Sequence, residues 1–536
     1  MLKVSKRYYG FQSKSPFQLL PDFRLKCGLE IHTQLNTKFK LFSFSTNDPF
    51  HSIDSPNSNV SFFDAALPGT QPILNYEAVI DAIKLSLALN CDINANSQFD
   101  RKHYFYGDQP LGYQITQHYS PISSNGKLSL FENIDNIDQS QKDIGIIQLQ
   151  IEQDTGKSMY DDSKHFTRID LNRSNVPLIE MVTKPDFTDL KQVRSFIKKY
   201  QNLVRHLKIS SGDLETGAMR VDVNLSINDY ARVELKNLPN TSSIVNAIKY
   251  EYNRQVEIIK NGSADELLTS PETRSWTGVK TVKLRSKETT IDYRYLPDPE
   301  LPRVILDNDV ITNISNSIPT LPDELLSRLI SKPYNLSMKD AKILVLNSNG
   351  QNEMYTQEEL QNFYLKVFDC YYNVVGEKLN HKLPVNWIIH ELIGSLNKLE
   401  LPLSKVLPKL SPEKFSEFIV LIHNKEISNT SAKLLLFHVL NQIKENDHSI
   451  REINFDSLIE EFELKPATNA SKVDLTELCQ TIITELNNEK LLNDIISGKK
   501  KNSIQYLVGL GMRASQGTLS PQSLEETFKK ILQVKW

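Results

Sequence analysis

Between Leu25 and Leu35 the apolar residues fall mainly on odd positions and the polar residues on even ones. A period of two marks a half-buried β-strand, here ending in an Asn36-Thr37 turn. Glu30, His32 and Gln34 then share one face, about 7 Å from one to the next. Such a face is either simply exposed to water or one wall of a site. The alternation returns at 146–154, where Ile147, Leu149 and Ile151 oppose Gln148, Gln150 and Glu152. At 218–227, Met219, Val221, Val223 and Leu225 oppose Arg220, Asp222, Asn224 and Ser226. A turn at Asn228-Asp229-Tyr230 leads into 231–237, whose polar face is Arg232, Glu234 and Lys236, so a hairpin is expected. Segments 281–287 and 290–295 close the series before a proline-rich stop at 296–302.

Helical periodicity appears at 76–90, most clearly at 185–208, and again at about 242–260. Residues 43–62, the Pro/Gly turn near 65–72 and the basic, aromatic stretch 100–114 are expected as loops. Residues 22–302 therefore predict an α+β domain with an antiparallel-dominated sheet. Beyond 303 the pattern becomes ten short helical segments. They divide into a linking helical domain to about 385 and a C-terminal helical domain over 386–536.

Composition narrows the class. At 536 residues the chain exceeds what one core supports. A formal net charge of −3 confines any nucleic-acid surface to local patches. Cys27, Cys91, Cys370 and Cys479 are far apart and contain no C-x-x-C pair, which argues against a structural zinc site or a disulfide framework. No run of about 18 apolar residues is present. Residues 1–21 are basic, hydroxylated and free of acids, a composition shared by organellar transit segments and by disordered basic tails.

Chemistry is concentrated in the strands. The run 175–184 is apolar except for Glu180, and a carboxylate there is costly unless it is paired or binds a cation. Acids and arginines recurring on one sheet face suit a divalent cation with a polyphosphate. Lys102, Arg220, Arg285 and Arg294 are the candidate phosphate-binding cations. Gly156-Lys157-Ser158 lacks the first glycine of a P-loop, because position 151 is Ile. His390-Glu391 lacks the second histidine of a zincin helix, and no G-x-S-x-G elbow occurs.

Long motifs then carry a resemblance along nearly the whole chain. They are GLEIHTQLNTK (28–38), ALPGTQP (66–72), DRKHYFYGDQPLGYQITQ (100–117), EQDTGK (152–157) and DLNRSNVPLIEMVTKPD (170–186). GDLETGAMRVDVNLSI (212–227), VELKNL (233–238), TRSWTG (273–278), LRSKETTIDYRYLPDPELP (284–302) and YLVGLGMRASQG (506–517) follow in order. The chain resembles the GatB family, the B subunits of the glutamyl-tRNA(Gln)/aspartyl-tRNA(Asn) amidotransferases, in their fungal mitochondrial form.

The resemblance implies a glutamine-synthetase-like catalytic cradle, a helical linker and a tRNA-binding tail of a type shared with a small stand-alone protein family. It implies ATP-dependent conversion of Glu-tRNA(Gln) to Gln-tRNA(Gln) through an acyl phosphate, with Mg²⁺ or Mn²⁺. Ammonia would come from a glutaminase A subunit, with a small third fungal subunit as a further partner, on the matrix side in mitochondria. The catalytic residues implied are Glu30, His32, Glu180 and Asp222, and the metal set is Glu30, His32, Glu152, Gln153 and Glu180. Gln153 stands where the family usually has a second acid, and Leu111 where it often has lysine. Two other readings share the acidic face: an ATP-dependent ligase amidating a small free acid, and a non-catalytic tRNA-binding scaffold.

Overall fold

The computed structural model describes residues 17–48, 55–161, 163, 165–264, 268–286, 293–346, 354–445, 453–462, 464, 472–486, 492, 495–496, 503–514 and 521–534. The chain divides into two compact units, Met1–Glu324 and Leu325–Trp536.

In the first unit the alternating segments become strands. They are β1 (Leu25–Gln34), β2 (Asp92–Ile93), β3 (Asn96–Ser97), β4 (Asp100–His103), β5 (Tyr113–Thr116) and β6 (Ser123–Phe131). Then come β7 (Gln141–Gln153), β8 (Lys157–Asp161), β9 (Phe166–Asp170), β10 (Pro177–Thr183) and β11 (Met219–Ile227). The last are β12 (Val233–Lys236), β13 (Glu272–Trp276), β14 (Thr281–Ser286), β15 (Leu296–Pro297) and β16 (Val304–Ile305). Nine of them build one sheet in the order β14-β13-β12-β11-β1-β10-β7-β6-β2. All neighbours pair antiparallel except β12 and β13. A parallel pair needs a crossover, and a helix between those two strands supplies it.

Among the described residues, four helices pack with this sheet: α1 (Tyr76–Ala88), α2 (Glu132–Asp135), α3 (Leu190–His206) and the crossover α4 (Thr241–Lys260). Leu25, Cys27, Leu29 and Ile31 of β1 are buried in one core with Val193, Phe196, Ile197, Ile244, Ile248 and Tyr252. Each large apolar side chain among them contributes about 1.5–3 kcal/mol through burial. Thr33, the polar residue in the same phase, is satisfied inside that core by the Tyr200 hydroxyl at 2.9 Å. The even positions of β1 therefore lie on the opposite face.

Several expectations shift in detail. The helix expected from 185 starts at Leu190, because Asp189 caps it by accepting from the Lys191 N–H. Ahead of it, Phe187 is bridged to Cys27. Simple alternation points Ile147 inward with Leu149 and Ile151. A register shift in the β7–β10 pairing makes it the extra residue and leaves it 43% exposed. The 100–114 stretch is not all loop, since β4 and β5 pair within it and β15 adds to β4. Of the strand expected at 290–295, residues 290–292 lie outside the described residues and 293–295 are not strand.

Residues 1–16 lie outside the described residues. Phe17 stacks edge-on with Tyr252 at 5.7 Å, and the Leu20 N–H donates to the Tyr252 hydroxyl. The helix Asn308–Ser317 places Ile314 in the first unit's core.

The second unit is helical. Gln357–Val375 starts with a Thr356/Glu359 capping box and buries Phe363, Tyr364, Phe368 and Tyr371. Phe363 packs on Phe415 of the helix Pro412–His423, with rings 5.4 Å apart. Position 385 falls in a continuous helical run from Lys382 to Leu399. A separate core gathers Cys479, Ile482, Leu507, Leu524 and Phe528. The basic turn 497–502 lies outside the described residues.

Candidate active site on the polar face of the sheet

The site is a consequence of register. Strand β1 lies between β10 and β11, so His32 is paired with Glu180 on one side and Arg220 on the other. Glu30 stands opposite Asp222 on β11, and Glu180 stands opposite Gln150 on β7. Chain-distant residues thus meet on one face at neighbouring-strand spacing.

Around His32 Nε2 lie Glu152 Oε1 at 3.4 Å, Glu30 Oε1 at 3.9 Å and Glu180 Oε2 at 3.9 Å. One ligand atom from each of Glu30, His32 and Glu180 falls within 4.8 Å of the others. The Gln150 amide donates to Glu180 Oε2, and the Thr116 hydroxyl donates to Glu152 Oε2 at 3.3 Å. Among the described residues, none of the three glutamates forms an ion pair with lysine or arginine.

The charges respond as crowding in a poorly hydrated place demands. Burial, then Glu180 and Asp222, push Glu30 up to about 8. Burial, then Glu152, push Glu180 up to about 8. Burial raises Glu152 as well. Burial, then the Arg220 and Lys236 charges, hold His32 down at about 3, so its ring is neutral and keeps a lone pair. For Lys102 burial opposes the charge, but Glu152, Tyr295 and Glu180 outweigh it and keep the ammonium protonated.

A second group of acids sits on the neighbouring strands. Lys236 Nζ contacts Asp222 Oδ2 at 2.7 Å and Glu234 Oε1 at 3.0 Å. Glu234 also accepts from the Thr273 hydroxyl at 2.9 Å. The face is therefore half neutralised by lysine and half left to carboxylates and imidazole. Three acids are a donor set for a divalent cation, while the neutral imidazole is an unusual ligand for Mg²⁺, which prefers oxygen, and suits Mn²⁺ or a phosphate contact better.

The profile of the GatB/GatE catalytic domain matches residues 25–312, and that of the GatB domain matches residues 369–532. The chain belongs to the GatB family of glutamyl-tRNA(Gln) amidotransferase B subunits. Yeast proteins named as the mitochondrial B subunit of glutamyl-tRNA(Gln) amidotransferase are similar to it over their whole length. That of Zygosaccharomyces rouxii is 65% identical over 543 residues, with 100% of each chain covered. That of Kluyveromyces lactis is 61% identical over 539 residues, again covering 100% of both.

Against this family pattern, the structure brings together Glu30, His32, Glu152, Glu180, Asp222, Arg220 and Lys102. Gln153 is placed elsewhere. Strand alternation turns it from the Glu152 face, its amide donates to Tyr113 O at 3.3 Å, and its Oε1 is buried without a partner among the described residues. Leu111 packs against the core. Arg285 sits on β14, four strands from β1 and so about 19 Å away at backbone level. Its side chain lies outside the described residues. Arg294 is exposed, and its carbonyl accepts from His103 Nδ1 at 2.9 Å.

Sequence reasoning did not select Glu234, Lys236, Gln150 or Gln34 for the site. All four share the even phase that exposed Glu30 and Asp222, so strand phase held the signal. Asp154 lies past the end of β7 and has no phase to read.

Proposed function

We propose that this chain is the transamidase component that converts Glu-tRNA(Gln) to Gln-tRNA(Gln) in mitochondria, with ATP and a divalent cation. The reading rests on the unneutralised cluster of Glu30, His32, Glu152 and Glu180 and on the family to which the chain belongs. A glutamate side-chain carboxylate is a poor acyl donor. Transfer of the ATP γ-phosphoryl group to one of its oxygens gives an acyl phosphate and ADP. Ammonia then attacks the acyl carbon, loses a proton, and the C–O bond to phosphate breaks.

Glu30, His32 and Glu180, with Glu152 beside them, would hold the cation, which offsets phosphate charge during transfer. Lys102 and Arg220 flank the acids as fixed positive charges for phosphoryl oxygens. Asp222, held by Lys236, lies next to Glu30 where a proton from the incoming amine is taken up. A glutaminase partner supplies ammonia, and the helical second unit holds the tRNA body.

The test is Glu180→Gln in the assembled complex, assayed for ATP-dependent formation of Gln-tRNA(Gln). Turnover within about twofold of wild type would remove the catalytic reading and leave a scaffold.

A further inference from the structure

The strongest unassigned group outside the acid cluster is Asp154. It directly follows β7 and is 3% exposed. Its N–H donates to Val176 O at 2.9 Å, and its carbonyl accepts from the Asn175 N–H at 3.0 Å. The carboxylate accepts from Gln34 Nε2 at 3.0 Å and from the Thr155 N–H at 2.9 Å. Arg173 Nε lies 3.6 Å away and is itself tied to Thr155 O at 3.0 Å. Its Nη2 donates to Gly156 O at 2.8 Å. These contacts give the buried carboxylate two hydrogen bonds and one nearby guanidinium before β11 is counted.

Arg220 adds one more. Its Nη2 donates to Asp154 Oδ1 at 3.0 Å, the only hydrogen bond its guanidinium makes among the described residues. The side chain is 35% exposed on the polar face, from the position opposite His32. A guanidinium carries five N–H donors in a rigid fork. One is tethered, and the rest make no hydrogen bond among the described residues. A long side chain held at one corner loses less freedom when it meets an oxyanion than an untethered one.

We infer that Asp154 is a positioning residue, which clamps Arg220 so that its remaining N–H groups meet phosphoryl oxygens of the nucleotide. Asp154 touches neither nucleotide nor cation and acts through Arg220. The inference rests on the reading of this face as the ATP site.

The experiment is a double-mutant cycle in the assembled complex, with KM for ATP, KM for Glu-tRNA(Gln) and kcat measured separately. Asp154→Asn keeps the shape and removes the charge. It is expected to raise KM for ATP about tenfold while KM for the tRNA stays within about twofold. Arg220→Met is expected to raise KM for ATP at least as much. The double variant should match Arg220→Met within about twofold, since the clamp has nothing left to hold.

Multiplicative losses in the double variant would overturn the inference, because Asp154 would then act independently of Arg220. If Arg220→Met left both ATP parameters unchanged, the ATP reading of the face would itself fail, and the clamp with it. If Asp154→Asn prevents assembly, Gln34→Met takes its place in the same cycle. It removes a bond to Asp154 Oδ2 and should raise KM for ATP only where Arg220 is present. An unchanged KM there would also overturn the inference.

Discussion

Glu180 and Glu251 lie in the same unit and have opposite fates. Glu251, on α4, has no exposed side-chain surface. Arg254 binds both its oxygens, at distances down to 2.6 Å, and Arg274 Nε lies 3.5 Å away. Gln255 donates at 3.0 Å and the Thr281 hydroxyl at 2.8 Å. Glu180 is slightly more accessible, yet among the described residues it has no ion pair with lysine or arginine; it accepts from the Gln150 amide and shares a hydrogen bond with Glu152. The deeper carboxylate is structural because the fold supplies its cations. The shallower one is left to a ligand because the fold brings the Lys102 charge near it but pairs it with no cation among the described residues. Burial alone does not mark a site; a charge deficit does.

Breaking the satisfied member should have the largest effect. Glu251→Ala strands two arginines and is expected to cost about 3–5 kcal/mol, read as a lowered urea midpoint. Mn²⁺ affinity should not change among the molecules that remain folded. The unsatisfied member should behave in reverse. Glu180→Gln is expected to slow transamidation about a hundredfold or more, near 2.7 kcal/mol of barrier. Above about pH 8, where Glu180 is ionised, the same change should raise the melting temperature of the cation-free protein, since it removes one of several crowded charges.

A smaller effect should follow pH. Raised carboxylate pKa values mean that the stabilisation from protonated Glu30 and Glu180 is full below about 4 and lost as pH climbs through about 8. A divalent cation replaces those protons, so its binding should release protons and tighten as pH rises. Calorimetric titration with Mn²⁺ should show about a tenfold or greater gain in affinity from about pH 6 to about pH 8.5. Equal affinity at both would mean that these carboxylates are not the ligands. The smallest effect belongs to an exposed pair. Lys26 and Asp229 sit 2.5 Å apart with Asp229 89% exposed. Lys26→Ala should leave the urea midpoint nearly unchanged, because solvent screens the pair.

Much of this was legible from alternation. Strand phase placed Glu30, His32, Arg220 and Asp222 on one face, and Glu180 announced itself as a lone acid in an apolar run. Ile147 escapes such a reading because a bulge shifts phase by one residue and leaves no mark in composition. Gln153 illustrates the opposite case. The family motif groups it with Glu152, while the pleat separates adjacent residues onto opposite faces.

The local sequence, then, determined the strands, the helices, their caps and the parity of each polar residue, because backbone geometry and burial act over a few neighbouring positions. It did not determine who stands beside whom. The order β11-β1-β10-β7 puts Glu30 and His32 next to residues about 120–190 positions away, and it sends the Arg285 backbone to the far edge. The same packing gives Glu251 its arginines and withholds them from Glu180. Charge balance at a buried point is a sum over chain-distant groups, and only the tertiary structure performs that sum.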